Sequence, residues 1–292
     1  MDNEVKPKRK ISVKKILIFL FIIVVLVVSV LLYARFVATK GIIINEYKVV
    51  NSKLTDTYKG LKIVHISDIH YKTTLDEKGL KELTNKVNLT KPDIIVITGD
   101  ILNKSVEYSN NDYEIIKKYL KEMNANIGKY AVSGDNDYNN SNLQIILDES
   151  DFIYLDDNYD LIYKEQNSYL MISGISSLKN KIDINTKLNN VNTYLQTGTP
   201  IYKILILHEP DLLKDIDINN YDLILAGHYL GGTIRLPLIG SLIKKEGALK
   251  YNQSYYKINT TDLYLTNGIG SDDMNYRLFN RPSFNFYRLT NN

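Results

Sequence analysis

The stretch Leu61-Lys-Ile-Val-His-Ile-Ser-Asp-Ile-His70 decides the fold of this chain. Its apolar run from Leu61 to Ile66 predicts a buried β-strand, and the run stops at Asp68 and His70. Residues i and i+2 of an extended chain point to the same side, so this carboxylate and this imidazole can hold one divalent cation between them. A strand end with an Asp that starts a turn is the competing interpretation of the same pair.

Further strand ends along the chain carry the same kinds of side chain. They are Gly99-Asp100, Gly134-Asp-Asn-Asp137, His208 and Gly227-His228. Strands are predicted over residues 42–50, 61–66, 94–100, 129–137, 169–174, 202–208, 221–228, 262–266 and 284–289. Helices are predicted over residues 77–89, 112–123, 142–147 and 185–196. This alternation indicates an α/β fold, in which ligands bind at the carboxyl ends of the strands.

The amino-acid composition limits the partners and the catalytic or metal-binding residues that the chain can use. The chain has 292 residues, with 36 Lys and Arg against 33 Asp and Glu. This near balance gives no reason to expect a nucleic-acid partner. Cys is absent, so no disulfide or thiolate nucleophile exists, and a metal site must use His, Asp, Glu or Asn.

The amino-terminal segment predicts a membrane anchor. Residues 1–15 are basic, and Ile16 to Tyr33 is apolar apart from Ser29, which is near the lower length limit for a membrane-spanning helix. A signal peptide is the main alternative, but its apolar region is usually shorter and the cleavage pattern at Ala38 is poor. Because the basic flank precedes the span, we expect a cytoplasmic tail over 1–15, a single transmembrane anchor over 16–37, and an extracytoplasmic domain over 42–290.

Histidine is rare in this sequence, which has only His65, His70, His208 and His228. Three of the four lie at predicted strand ends, beside Asp, Gly or Pro. His65 lies inside its strand, and we expect it to pack or to form hydrogen bonds there. The three strand-end histidines, together with the aspartates of the other strand ends, predict a metal site.

In their order along the chain, these motifs resemble those of the calcineurin-like metallophosphoesterases, whose pattern is D-x-H, G-D, G-N-H-D/E, H and G-H-x-H. The stretch Gly231-Gly232 followed by Ile234-Arg-Leu-Pro237 is similar to the membrane-associated branch of that family. The resemblance covers about residues 42–289. It implies a two-sheet α/β sandwich flanked by helices, here preceded by one transmembrane helix.

The resemblance also implies one or two divalent metal ions, with Mn, Fe or Zn expected, that promote phosphoester hydrolysis. Asp68, His70 and Asp100 would hold a first ion. Asp100 would also join Asp135, His208 and His228 around a second ion. Asp100 and Asn136 occupy the positions to which catalytic roles are carried over.

Three departures from the family pattern bear on activity. Asp135 replaces an Asn ligand and adds negative charge, which favours hard divalent ions. Asn136 replaces the His that serves the leaving group; Asn donates a hydrogen bond but delivers no proton at neutral pH. Leu230 replaces the last His of G-H-x-H and cannot bind metal, so the first metal site is weakened while the second ligand set stays complete. Thr233 stands at a family Gln, a smaller change.

Two hypotheses follow from the sequence. The first is a phosphoesterase anchored in the cell membrane that hydrolyses a phosphomonoester or phosphodiester, such as a lipid or envelope-precursor headgroup. The second is a catalytically impaired domain of the same fold that serves as a binding or structural module. Asn136 and Leu230 favour the second hypothesis, and the complete second ligand set indicates retained metal binding, which is compatible with either hypothesis.

Overall fold

The structure is a computed structural model that describes residues 12–165, 168–236, 240–271 and 275–292. Most of the predicted basic tail and Pro237 therefore lie outside the described residues. The α-helices are α1 Val13–Phe36, α2 Glu77–Leu89, α3 Asn110–Lys121, α4 Asn142–Glu149, α5 Ile184–Lys187 and α6 Asn189–Leu195. The strands are β1 Ile43–Val50, β2 Lys62–Ile66, β3 Ile94–Thr98, β4 Gly128–Val132, β5 Ile153–Tyr154, β6 Asn158–Glu165, β7 Ser168–Ile175, β8 Tyr202–Leu207, β9 Leu223–Ala226, β10 Arg235–Leu236, β11 Gly240–Ser241, β12 Tyr255–Ile258, β13 Thr261–Leu265 and β14 Ser283–Thr290.

Two six-stranded sheets form the body of the protein. The first sheet has the order β1-β14-β2-β3-β4-β5, and the second has the order β12-β13-β9-β8-β7-β6. Strands β2, β3 and β4 are parallel, as are β7, β8 and β9. Their carboxyl ends carry the loops in which the sequence places its candidate ligands. This architecture confirms the predicted two-sheet α/β sandwich.

The hydrophobic core has three layers. Ile63 and Val96 of the first sheet pack with Ile204 and Leu225 of the second in the layer between the sheets. The helices α2, α3 and α4 cover the outer face of the first sheet, and α6 packs in the layer outside the second sheet. Both sheets are thus covered on their two faces, which explains the continuous apolar runs of the central strands.

The predicted helix over 185–196 differs from the structure, where α5 and α6 are two short helices that meet at Leu188. Lys187 ends α5 with a buried side chain, whose ammonium group donates to the carbonyl oxygens of Ser176 and Ser177 at 2.9 Å each. This contact draws the chain inward and interrupts a regular helical face. Strand β6 is not predicted from the sequence; it is an edge strand that mixes Tyr, Asp and Lys with apolar residues.

Helix α1 precedes the two sheets. Among the residues that the structure describes, it is the one helix long and apolar enough to cross a membrane. Its 24 residues correspond to about 36 Å, against about 30 Å for the hydrocarbon core of a bilayer. Its one polar residue between Ile16 and Tyr33, Ser29, donates its hydroxyl to the carbonyl of Val25 at 2.8 Å, so this hydroxyl donor is satisfied within the helix.

Candidate metal centre

The candidate ligands lie on loops with unusual backbone geometry. Asp68, His70, Asp100 and His228 have φ values of 53°, 44°, 57° and 66°, in the left-handed region that non-glycine residues rarely adopt. The loop after β2 also runs along the loop after β3, because His70 donates its backbone N–H to the carbonyl of Asp100 at 3.0 Å. Strained backbone held by neighbouring structure is a feature of functional sites.

The first candidate ligand set is Asp68, His70 and Asp100. All three side chains are fully buried, and their ligand atoms lie within 4.8 Å of one another. His70 Nε2 lies 3.7 Å from Asp68 Oδ1 and 3.5 Å from Asp100 Oδ2. Asp68 Oδ1 has no hydrogen-bond partner among the described residues, as expected for an oxygen that serves a cation.

The second candidate set is Asp100, Asp135, His208 and His228, whose ligand atoms also lie within 4.8 Å of one another. His208 Nε2 lies 3.2 Å from Asp100 Oδ2 and 3.4 Å from Asp135 Oδ1. His228 Nδ1 lies 3.1 Å from Asp135 Oδ1. The structure thus brings together all six residues that the sequence proposes as ligands, with Asp100 shared by both sets.

Backbone carbonyls fix the tautomers of the two histidines. His208 Nδ1 lies 2.6 Å from the carbonyl oxygen of Thr98, and His228 Nε2 lies 2.6 Å from that of Glu246. A carbonyl only accepts, so each of these nitrogens carries the proton. The other nitrogen of each ring faces the aspartates and is the one left to bind a metal ion in place of a proton, which is the usual orientation of a metal-binding histidine.

The electrostatics of the cluster fit a cation. Burial favours the neutral acid, yet the contact with His70 and the charge of His208 outweigh it and lower the pKa of Asp68 to about 2. Burial likewise opposes ionisation of Asp135, but His208 and His228 hold its pKa well below the usual range. Burial disfavours an imidazolium at His208, and Asp100 and Asp135 nevertheless raise its pKa well above the usual value. Buried, ionised carboxylates that attract a proton in this way also attract a divalent ion.

Asp137 supports the site without facing it. Its carboxylate accepts the backbone N–H groups of Ile101 and Gly134 at 2.7 Å each, which ties the loop after β3 to the loop after β4. Burial and the neighbouring charge of Asp100 raise the pKa of Asp137 to about 7. A cation bound at Asp100 would offset this repulsion between carboxylates.

Asn136 contacts Asp100 in the structure. Its backbone N–H donates to Asp100 Oδ1 at 2.8 Å, and its side-chain amide donates to Asp100 Oδ2 at 2.7 Å. Both oxygens of the shared carboxylate are therefore held by one residue. The side chain that replaces the family His thus donates a hydrogen bond to Asp100, a candidate metal ligand.

Leu230 packs beside the first ligand set. It is buried, and its chain bends through φ 49°. Gly268 lies against it: a Cβ at this glycine would lie 2.7 Å from Leu230 Cδ2 and 2.9 Å from Asp68 Cβ. The position at which the family pattern has its last His thus carries an apolar side chain close to Asp68.

A cleft of about 670 Å³ opens over the second set. Asp135 and His228 line it, whereas Asp68 and His70 do not. Its walls carry five lysines: Lys104, Lys179, Lys181, Lys214 and Lys245. Lys104 Nζ lies 3.6 Å from Asp135 Oδ2. A cleft with this lining suits an anionic ligand.

The acidic side chains of the cleft are largely engaged by local donors. Glu209 accepts the hydroxyl of Ser177 at 2.6 Å and the N–H of Leu178 at 3.2 Å. Asp211 accepts the N–H groups of Leu249 and Lys250 at 2.7 and 3.0 Å. These hydrogen bonds hold the two carboxylates in the walls of the cleft, while Glu246 lies 3.9 Å from Lys179. The lysine ammonium groups remain the cationic donors that the cleft offers to a ligand.

His65 lies between the sheets, apart from the ligand sets. Its Nε2 lies 2.8 Å from the hydroxyl of Thr98, and its Nδ1 lies 3.2 Å from the hydroxyl of Tyr287. Burial is the main reason that its pKa is lowered to about 3. This neutral, packed histidine has the structural environment that the sequence predicts for it.

Comparison with known proteins identifies the family. The model of the calcineurin-like phosphoesterase family matches residues 61–231, which include both ligand sets. The chain belongs to this family of metallophosphoesterases, whose fold uses divalent metals.

Three relatives illustrate the range of the family. The chain is 26% identical to metallophosphoesterase YkuE of Bacillus subtilis over 88% of each chain. It is 25% identical to a transmembrane protein with a metallophosphoesterase domain of Danio rerio, over 78% of this chain and 53% of that protein. It is 37% identical to UDP-2,3-diacylglucosamine pyrophosphatase LpxG of Chlamydia muridarum, but only over 27% of this chain and 23% of that protein.

Sequence reasoning missed several residues that shape the centre. The carbonyls of Thr98 and Glu246 orient the histidines through backbone atoms, so no side-chain pattern marks them. Lys104 and the other cleft lysines come from four separate segments of the chain and form no motif. The sequence shows Gly268 in a Gly-x-Gly loop between the last two predicted strands, a signal that can indicate a close approach, but its contact with Asp68 and Leu230 was not predicted.

Proposed function

We propose that this chain is a membrane-anchored, metal-dependent hydrolase of phosphomonoesters or phosphodiesters. The observation that carries the proposal is the convergence of four ligand side chains, of which Asp135 and His228 line a cleft that also carries five lysines. The four residues are Asp100, Asp135, His208 and His228. These four residues would hold the principal divalent ion. The first ligand set, Asp68, His70 and Asp100, would hold the other ion more weakly.

A divalent ion at the four-residue set would polarise a phosphoryl oxygen and lower the pKa of bound water. Side chains and backbone groups of the chain would bind the phosphoryl group and orient the metal ligands. The lysines of the cleft would attract and orient the phosphoryl group, and Lys104, beside Asp135, is placed to contact it first. The carbonyl groups of Thr98 and Glu246 hold a proton on the outer nitrogen of each ring, which leaves the inner nitrogen for the ion.

The leaving group receives no proton from Asn136, because an amide is no acid at neutral pH. We therefore expect this enzyme to prefer esters whose leaving group departs easily without general-acid assistance. A diphosphate or an aryl phosphate has such a leaving group, whereas a simple alkyl phosphate does not. This preference is a direct consequence of the replaced histidine.

We further propose that the substrate is lipid-linked. The predicted anchor would keep the cleft close to a bilayer, with the amino terminus in the cytoplasm and the domain outside it. The Chlamydia relative is named for a diacylated sugar nucleotide, which supports this substrate class although the similarity is partial.

A binding or structural module is the second candidate. It is favoured by the two hydrogen bonds from Asn136 to Asp100, which stabilise a carboxylate without providing an acid. Such a module would bind metal and a phosphorylated ligand without turnover.

Metal titration coupled to an ester panel separates the two candidates. The purified protein should bind Mn²⁺, and His208→Ala should abolish the tight binding, whereas His70→Ala should remove only the weaker ion. Tyr163→Phe, on the exposed surface of β6, is the matched control. Hydrolysis of bis-p-nitrophenyl phosphate or p-nitrophenyl phosphate supports the enzyme; bound metal with intact esters supports the module. Absence of metal at saturating Mn²⁺ contradicts the metal centre and with it the enzyme, and leaves only a module that needs no metal.

A further inference from the structure

The carboxyl end of α1 is docked on the domain. Arg277 donates its backbone N–H to the carbonyl of Ala34 at 3.0 Å, and Arg35 Nη1 donates to the carbonyl of Asn275 at 2.9 Å. Ala34 and Ala38 are buried. These contacts give the helix a defined direction relative to the domain.

A groove of about 510 Å³ lies between α1 and the loop that carries Leu278 and Phe279. Apart from a serine whose hydroxyl is satisfied within the helix, its walls are apolar or aromatic. They are formed by Ile22, Val25, Leu26, Ser29, Val30, Tyr33, Leu278 and Phe279. Phe279 is 66% exposed and has a left-handed φ of 53°. The backbone of Phe279 is therefore strained, and its exposed phenyl ring beside an apolar groove is unfavourable in water.

The position of this groove along α1 suggests what covers it. Its helical wall runs from Ile22 to Tyr33, which corresponds to about 17 Å along the helix axis. That length lies inside the predicted span and is more than half of a hydrocarbon core about 30 Å thick. If α1 crosses a bilayer, Phe279 lies at the depth of the acyl chains.

Polar residues at the domain end of α1 match the headgroup region. The guanidinium of Arg35 lies 5.5 Å from the ring centre of Tyr276. Arg281 Nη2 donates to the carbonyl of Lys40 at 3.0 Å. Arg, Lys and Tyr are the residues that anchor proteins at the membrane interface, and the cations attract anionic lipids.

We propose that Leu278 and Phe279 insert into the bilayer beside α1, with acyl chains of membrane lipid filling the groove. The proposal rests on α1 crossing the membrane, and it adds a second membrane contact made by the domain itself. The inserted loop is tied to the metal centre: Asn280 Nδ2 donates to the carbonyl of Leu230 at 2.6 Å, and Leu278 donates its backbone N–H to the carbonyl of Thr233 at 3.2 Å. The domain therefore rests on the membrane by the edge that carries Leu230.

Tryptophan fluorescence tests this contact, because the chain has no Trp and each variant has a single reporter. The full chain with Phe279→Trp is reconstituted in vesicles of phosphatidylcholine and phosphatidylglycerol, with and without bromine on the acyl chains. We expect a blue-shifted emission that is largely lost in the brominated vesicles. Leu278→Trp repeats the measurement should the first variant fail to fold.

Two further variants make every outcome decisive. Phe21→Trp, on the exposed side of α1, reports on the span, and Tyr163→Trp, on β6, reports on a surface away from it. Quenching at Phe21 but not at Phe279 overturns the second contact while leaving the span intact. Quenching at neither removes the span and the proposal with it. A blue-shifted but unquenched reporter at Phe279 means that protein, such as a second copy, covers the groove, and this also overturns the proposal.

Discussion

Asn136 determines how the shared carboxylate behaves. It holds both oxygens of Asp100 through its backbone and side-chain N–H groups. These hydrogen bonds stabilise the ionised carboxylate, and they compete with a metal for its lone pairs. The replacement of a proton donor by an amide thus changes both the acid chemistry and the strength of the shared ligand.

Restoring both lost histidines should increase activity. Asn136→His with Leu230→His supplies a proton donor and a fourth ligand to the first metal. We expect hydrolysis of an alkyl phosphodiester to rise toward the range of about 10²–10⁴-fold that general-acid catalysis provides. Each single variant should give a smaller gain, and an unchanged rate for the double variant would contradict this account of the two departures.

The affinity for metal should depend on pH. Although burial opposes the imidazolium, Asp100 and Asp135 raise the pKa of His208 above its usual value, so a proton competes with a metal ion for its Nε2 over a wider pH range. A metal ion must displace this proton, and its Kd should therefore increase about tenfold for each unit by which the pH falls below that pKa. Calorimetry in buffers of different ionisation enthalpy counts the proton; binding without proton release would refute the prediction.

At the scale of elements, the centre depends on where the loops after β3 and β4 meet. Gly99 has φ 82°, and a Cβ there would lie 2.6 Å from the backbone nitrogen of Gly134 and 2.7 Å from Nδ1 of His208. This close approach lets the two loops present Asp100 and Asp135 to the same ion. A larger residue at Gly99 has no room.

Gly99→Ala should therefore be more destabilising than a glycine replacement elsewhere with the same backbone. Gly60 is a matched control, because its φ is 81° and a Cβ added there would have no atom within 4 Å. Gly60→Ala should cost about 1–2 kcal/mol for the left-handed backbone, and Gly99→Ala should cost about 1–3 kcal/mol more for the overlap. Urea unfolding of the two variants measures the difference; equal losses would argue against the steric account.

The sequence predicted the elements of this centre better than its shape. Apolar runs that stop at Asp or His located the ends of β2, β3 and β8, because the hydrophobic pattern is local. The left-handed bends at Asp68 and His228 left no such pattern, since tertiary contacts impose them. The division of the predicted helix between α5 and α6 follows from the inward turn of Lys187, which depends on carbonyl groups that follow β7 in the chain.

For the whole molecule, metal binding and folding should be linked. The ligands come from both sheets, with Asp68, Asp100 and Asp135 after strands of the first and His208 and His228 after strands of the second. A bound ion therefore joins the two halves of the sandwich. At a metal concentration roughly a hundredfold above Kd, the free energy of unfolding should rise by about 2.7 kcal/mol.

Thermal unfolding with and without Mn²⁺ measures this linkage. The unfolding temperature should rise with metal and fall back when a chelator is added. His208→Ala should remove the response, and Tyr163→Phe should retain it. A response that survives His208→Ala would place the stabilising ion elsewhere.

The position of β14 has a consequence for how the protein is made. This strand, Ser283–Thr290, pairs with β1 on one side and with β2 on the other, yet it is synthesised long after both of them, near the end of the chain. Until it leaves the ribosome, β1 and β2 keep unpaired edges, which are sites of aggregation. If α1 crosses a membrane, the unpaired edge of β1 stays near the membrane surface during this time, because α1 is followed closely by β1. The first sheet is complete only after β14 has paired with β1 and β2. A chain truncated before Ser283 should therefore not fold.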